Sequence, residues 1–501
     1  MPSVSSARFT SCVGYLRKVT VEPVLFLYMI AVWMQYPALQ ALLYKKTCLL
    51  KYDSSEICDN LNEYESEEKY VQSETSHWIL YTNICLTLPS IISAAFIGSW
   101  SDKIGRKIPI ILPSIGAVFG LVNYVLNSMF PKLPLPLILL SPFLNGIAGG
   151  FVTCILSVFS YMSNITSESN RTIRVAVLES MSFLGGTIGL SLSGVLLDHL
   201  GFQYVFVIMI VCHFILIVYT LLWIDDVHPA DQIVEQNTNL CRHLFNLTHF
   251  KESAICLFRP RDGHLRRNLL LTFGAFLGGF FAFSAHNDLA YLYLRHAPRN
   301  FTQTEYGYYL GFTNAMSGIG LIVILPLFKH YLLLWDTILI IIGFSARGIA
   351  LIVLAVSMVK WLVFLVPVIG MFQGFGAAGC RALLSKFVDK DETGKMFAFV
   401  ASGESLITLL ASVIFNNLYP ATISFYPGFC FILAAAMMII PIIIIGFVHK
   451  FIKQEDRYSL FENTEEPVAN ANQASFSYSV HTSSILSRTE TEMSSAETQN
   501  I

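Results

Sequence analysis

The chain predicts an all-α membrane protein of twelve transmembrane helices arranged in two six-helix halves. Three observations predict it. Of 501 residues, 54% are hydrophobic and only 13% are charged, against roughly 45–50% and 25% in an ordinary soluble domain. Apolar stretches of about 20 residues, the length that crosses a bilayer, recur twelve times. Polar segments sort those stretches six and six. A water-soluble protein with a mean hydropathy of +0.58 would need a larger core than this chain can enclose.

The spans run at about 22–44, 77–100, 108–130, 134–160, 172–197 and 202–224, then 268–294, 307–328, 333–356, 361–385, 396–418 and 425–449. Residues 1–21 form a short leading segment, and 22–224 form the N-terminal half. Residues 225–267 are a polar linker, 268–449 the C-terminal half, and 450–501 a Ser/Thr/Glu/Asn-rich tail expected to be disordered. The first span has no small-residue cleavage site and is too long for a signal peptide.

Charge placement sets the orientation. With the N-terminus in the cytosol, cytosolic segments hold 22 Lys and Arg and the opposite side holds 8, so both termini and the linker are expected in the cytosol. The loop after span one faces the lumen and carries 8 acids from Asp53 to Glu74. A net charge of −2 argues against a nucleic-acid partner. No CxxC or HExxH run points to a metal site. No nucleophile–base pair points to an enzyme, and no GxxxxGK[ST] run to a fused ATPase.

Between spans two and three stand Gly98, Asp102, Gly105, Arg106 and Lys107, spaced GxxxDxxGRK. Gly105 permits a tight turn, and Asp102 can pair with Arg106 or cap a helix end. Arg106 and Lys107 would also satisfy a plain positive-inside loop. The motif and the six-plus-six plan resemble the major facilitator superfamily, in which this motif gates alternating access. Further matches are Val21-Glu22-Pro23, Arg171 to Arg174 leading to Glu179, Arg381 to Lys386 with Gly394 and Phe397, Asn417 to Thr422, and Tyr426 to Phe429. Together these resemble solute carrier family 46, which includes the proton-coupled folate transporter and lysosomal relatives.

The resemblance implies site residues, each with a plainer alternative. Glu179 lies about two turns into span five. A carboxyl is costly as an ion in a bilayer, so one placed there can carry a coupling proton or be a hydrogen-bonded structural group. Arg381 can hold a substrate carboxylate bidentately or snorkel at the interface. Glu404 is a second titratable group or a partner for an arginine. His286 and Asp288 share span seven, and histidine suits the lysosome–cytosol pH range. Phe283 stands where the folate transporter has its span-seven histidine, and Ile147 where it has a span-four aspartate, so folate itself is weakened as the solute. Tyr36 and Tyr308 are substrate contacts or plain packing. Arg347 is read as interhelical or headgroup-binding, and His213 as structural.

In the family, a cysteine in loop 7–8 usually takes part in a disulfide. None stands there, so Cys48 and Cys58 are paired with each other, the alternative being two free thiols. Asn300 begins a lumen-facing sequon open to glycosylation. Tyr458 and Phe461 form a Tyr-x-x-bulky motif of the kind clathrin adaptors read, favouring a lysosomal or late endosomal membrane over the plasma membrane. The implied function is transport of a small hydrophilic organic solute from lumen or outside to cytosol: folate-like, cyclic dinucleotide, muropeptide or lysosomal catabolite. Protons are the coupling ion, and no cofactor is expected. The alternative is a transporter-like receptor or scaffold. Oligomeric state is not readable from the chain.

Overall fold

A computed structural model describes residues 20–166, 168–226, 264–332, 334–388 and 393–465. Among these, every regular element is helical. Eleven helical stretches are long and apolar enough to cross a membrane. The remaining expected span, 77–100, lies within a 40-residue helix.

In the N-terminal half, α1 (Glu22–Tyr52) begins with Pro23 and Glu22 in its first turn, where a missing N–H and a negative charge are both tolerated. It stops where Asp53 turns left-handed and returns its N–H to Leu49. The short α2 (Ser55–Asp59) is capped by Ser54. A Cys48–Cys58 disulfide ties α2 to α1, with Cα atoms 5.7 Å apart. There follow α3 (Glu65–Ile104), α4 (Lys107–Met129), α5 (Leu140–Ile147), α6 (Gly150–Ile165), α7 (Glu168–Leu200) and α8 (Phe202–Trp223). The expected fourth span is thus two helices, broken at Gly149 and Gly150, both with positive φ.

The C-terminal half holds α9 (Leu265–Arg295), α10 (Gln303–Ile319), α11 (Leu325–Tyr331), α12 (Asp336–Val356), α13 (Lys360–Ile369), α14 (Gly374–Lys386), α15 (Thr393–Thr422), α16 (Phe429–Met437) and α17 (Ile439–Glu465). A π-helical run, 320–324, joins α10 to α11. The expected disordered tail starts at 450, but α17 continues through Glu465. That run is rich in Lys, Gln, Glu and Arg, which favour helix once one has nucleated.

The ends of the bundle are named here by what they carry. The disulfide end holds the C-terminus of α1 and the start of α3. The linker end holds Gly105, Asp225 and Asp226. The two halves meet most closely along α7 and α10. A Cβ on Gly307 would lie 3.0 Å from the Gly194 nitrogen, and one on Gly318 would lie 3.2 Å from Phe183. Asn314 donates to the Phe183 carbonyl at 2.9 Å and to Thr187 at 3.1 Å. Without a hydrophobic drive between helices in lipid, small residues and interhelical hydrogen bonds hold such a seam.

Candidate functional site

At the linker end, the GxxxDxxGRK segment forms a capped turn. Gly105 has φ +115°, and the Asp226 carboxylate occupies the place a Cβ would need. Asp226 Oδ1 accepts the N–H groups of Arg106 (3.0 Å) and Lys107 (3.2 Å), satisfying donors at the start of α4. Lys107 Nζ donates to the Leu221 carbonyl at 2.8 Å. Gly98 and Asp102 fall on the helical run of α3, and their side chains lie outside the described residues. The cap for this turn therefore comes from Asp226, and no local pattern favours it over Asp102.

Deeper between the halves, three expected residues come together. Arg381 on α14 pairs with Glu404 on α15, Nη2 to Oε2, at 2.6 Å. The guanidinium also lies over two rings of α9, 5.3 Å from the Phe276 centroid and 5.8 Å from Phe280. Glu179 on α7, from the other half, is exposed and within electrostatic range of Arg381. The Arg381 side chain is 44% exposed, so it is accessible although it is paired. One cation thus pairs with one carboxylate, lies over two aromatic rings and has a second carboxylate within electrostatic range.

Nearer the disulfide end, Asp288 is buried and, among the described residues, has no cation as a hydrogen-bond partner. Asn416 Nδ2 donates to Oδ2 at 2.8 Å, and Asn83 Nδ2 reaches both oxygens at 3.2 and 3.3 Å. Asn83 also donates to Ser412 at 2.8 Å, and Ser76 to the Asn416 side chain at 3.0 Å. This network crosses the halves, since Ser76 and Asn83 lie on α3 while Asp288 lies on α9 and Ser412 and Asn416 on α15. The sequence singled out Asp288 but missed its partners. Amide side chains inside an apolar span were the available signal.

His286 does not join Asp288. Two residues on a helix are separated by about 200°, so His286 faces the interior of the C-terminal half, where Nε2 meets the Tyr309 hydroxyl at 2.8 Å. Tyr36 donates to the Asn287 carbonyl, and Gln40 bonds Tyr36 and Asn287, each at 3.2 Å. Tyr306 donates to Gln40 at 3.1 Å. Tyr308 is 49% exposed, whereas Tyr306 and Tyr309 are the buried, bonded tyrosines of that helix. A step of one residue turns the side chain by about 100°. His213 is buried against Tyr28, their rings 5.6 Å apart.

The disulfide end is fastened further out. Glu68 lies 3.1 Å from His296, Tyr419 donates to Gln72 at 2.8 Å, and Thr304 donates to Asp198 at 2.9 Å from its N–H and 2.5 Å from its hydroxyl. Each joins one half to the other. Arg299, in the loop after α9, is buried over the Tyr293 ring at 3.7 Å, and burial draws its pKa down. Asn300 is exposed with φ +46°. Thr302 of the same sequon caps α10 in a capping box with Glu305. Tyr458 and Phe461 lie on the helical run of α17, and their side chains are outside the described residues.

Residues 23–335 match the family model described as Major Facilitator Superfamily. The chain is 28% identical over 442 residues to the lysosomal proton-coupled steroid conjugate and bile acid symporter of Gallus gallus, covering 85% of this chain and 93% of that one. It is 27% identical over 447 residues to the proton-coupled folate transporter of Rattus norvegicus, covering 86% and 92%. Both relatives belong to solute carrier family 46, and by name both are proton-coupled transporters rather than enzymes. Among solved structures, the human organic anion transporter MFSD10 aligns with a TM-score of 0.59 at 13% identity, covering 85% of this chain and 98% of that one. The POT family transporter PepTSo aligns with a TM-score of 0.59 at 12% identity, covering 86% and 98%. At such identity these two speak for the fold alone. Fold, motif turn and family match agree, and the chain belongs to the major facilitator superfamily.

Proposed function

We propose that the protein is a proton-coupled carrier that moves a small organic anion across a lysosomal or late endosomal membrane into the cytosol by alternating access. The observation that carries this reading is the Arg381 cluster. Arg381 is accessible, paired with Glu404 at 2.6 Å, flanked by two phenyl rings and within range of Glu179. A solute carboxylate or sulfate competes with Glu404 for the guanidinium fork. A proton taken by Glu404 or Glu179 removes that competitor, so proton and anion load together. The phenyl faces suit a solute with a ring-bearing body. Carriers of bile acid and steroid conjugate, and of folate, among the relatives support this class.

Asp288 supplies the second half of the cycle. It can gain or lose a proton without breaking an ion pair, and its amide network fastens the halves at the disulfide end. A change of its charge changes which end is favoured. Each pH unit supplies about 1.36 kcal/mol per proton, so a two-unit gradient supports nearly hundredfold accumulation.

The test is uptake by cells expressing a Tyr458→Ala form directed to the plasma membrane. Radiolabelled folate, bile acid, steroid sulfate, cyclic dinucleotide and muramyl dipeptide are offered at acid and neutral external pH. The expected result is acid-stimulated uptake of an anion, lost in Arg381→Ala and insensitive to pH in Glu404→Gln. Uptake equal at both pH values in the parent protein would overturn the coupling. Uptake unchanged by Arg381→Ala would overturn the site.

A further inference from the structure

We infer that the C-terminal half contains a buried halide site in which chloride neutralises Arg347. This inference is independent of the solute and of the Arg381 cluster. Arg347 stands in the middle of α12 with only 6% of its surface exposed. Its partners are neutral: Nη1 donates to the Gln373 side-chain oxygen, and Nη2 to the Phe283 carbonyl at 3.4 Å. The Phe283 ring lies 5.0 Å from the guanidinium. Arg347 Nε is buried and has no hydrogen-bond partner among the described residues. A guanidinium does not give up its proton in proteins, and a buried charge without a counter-charge is strongly unfavourable.

A small cavity adjoins this cation. Its polar lining is His286, Tyr309, Thr313, Arg347 and Gln373, its other residues are apolar or glycine, and no carboxylate lines it. The free space is about 10 Å³, room for roughly one water-sized occupant. That space suits a water molecule or a monatomic anion better than a polyatomic one. Charge favours the anion, because water brings no counter-charge to Arg347. The donors suit an anion. When His286 Nε2 carries the proton of its 2.8 Å bond to Tyr309, the Tyr309 hydroxyl proton is free to point at the halide. Gln373 is committed elsewhere, since its Nε2 donates to Ser317 at 2.7 Å.

The site joins α9, α10 and α12 to the turn before α14. An occupant there binds the folded half and not the unfolded chain, so it raises thermal stability by mass action. The test is thermal unfolding of the purified full-length protein at constant ionic strength, with sodium gluconate replaced stepwise by chloride or bromide. The expected result is a saturating rise in melting temperature with both halides. It is lost in Arg347→Gln, while Tyr309→Phe, which keeps the cation, moves the halide midpoint several-fold higher. An anomalous peak beside Arg347 in bromide-grown crystals is expected as well. Identical melting of the parent protein in gluconate and chloride would overturn the inference, whether or not any variant folds. An undiminished halide response in Arg347→Gln would overturn the assignment to this cation.

Discussion

Asp288 and Glu404 are both carboxylates within the bundle, and they are held by opposite means. Glu404 leans on a cation, Arg381, at 2.6 Å. Asp288 leans on the amides of Asn83 and Asn416 and has no cation among its hydrogen-bond partners. The first arrangement gives a proton a competitor to displace, which couples it to a solute. The second lets a proton come and go while the surrounding hydrogen bonds adjust. Their places differ too. The Arg381 pair is accessible, whereas Asp288 is buried in the contact that fastens the halves. In the proposed cycle the first site exchanges ligands and the second responds to which end is shut.

The comparison can be broken outright by preventing the disulfide end from opening. Thr304 and Asp198 meet across the halves at 2.5 Å, so the double variant Asp198→Cys, Thr304→Cys is expected to crosslink on oxidation. Uptake should stop completely and return on reduction; uptake that continues in the crosslinked protein means the end need not open. Next in size is Arg381→Ala, since truncating a paired, hydrogen-bonded charge costs about 2–5 kcal/mol. Initial uptake at matched surface abundance should fall more than about tenfold. Arg381→Lys should recover only part of it, because an ammonium lacks the planar fork.

Asp288→Asn sharpens the contrast. The replacement fits the space but gives the amides of Asn83 and Asn416 one acceptor oxygen where they had two. Uptake is expected to fall several-fold and its acid stimulation to flatten, while solute affinity at the Arg381 end is kept. A loss confined to affinity would place Asp288 in the solute site instead. The smallest effect belongs to Cys48→Ser with Cys58→Ser. Removing a bridge that closes a ten-residue separation should lower stability by about 2–3 kcal/mol, read as a lower melting temperature with transport retained.

The membrane-spanning pattern was legible because hydrocarbon thickness dictates the length of an apolar run. The motif turn was legible too, because a Gly in a tight turn leaves a local mark. The break at Gly149 and Gly150 was not, since an apolar run reads alike whether straight or bent. Asp288, Arg381 and Glu404 stood out as ionisable groups in apolar spans. The partners that give Asp288 its character lie 205 and 128 residues away, at Asn83 and Asn416, and no local pattern joins positions so distant. That His286 meets Tyr309 while Asp288 meets Asn83 and Asn416 was not legible, because residues two apart on a helix look in different directions. Arg347 was recognised as unusual, but only packing shows that its partners are neutral.

Asp226 reaches back over 120 residues to close the turn at Gly105 and Arg106. The N-terminal half therefore carries its own stopper, fixed to the end of its last helix. A polypeptide that ends just after Asp226 still has its turn sealed. One that ends a few residues earlier lacks the stopper and leaves two backbone N–H groups at the head of α4 without their acceptor.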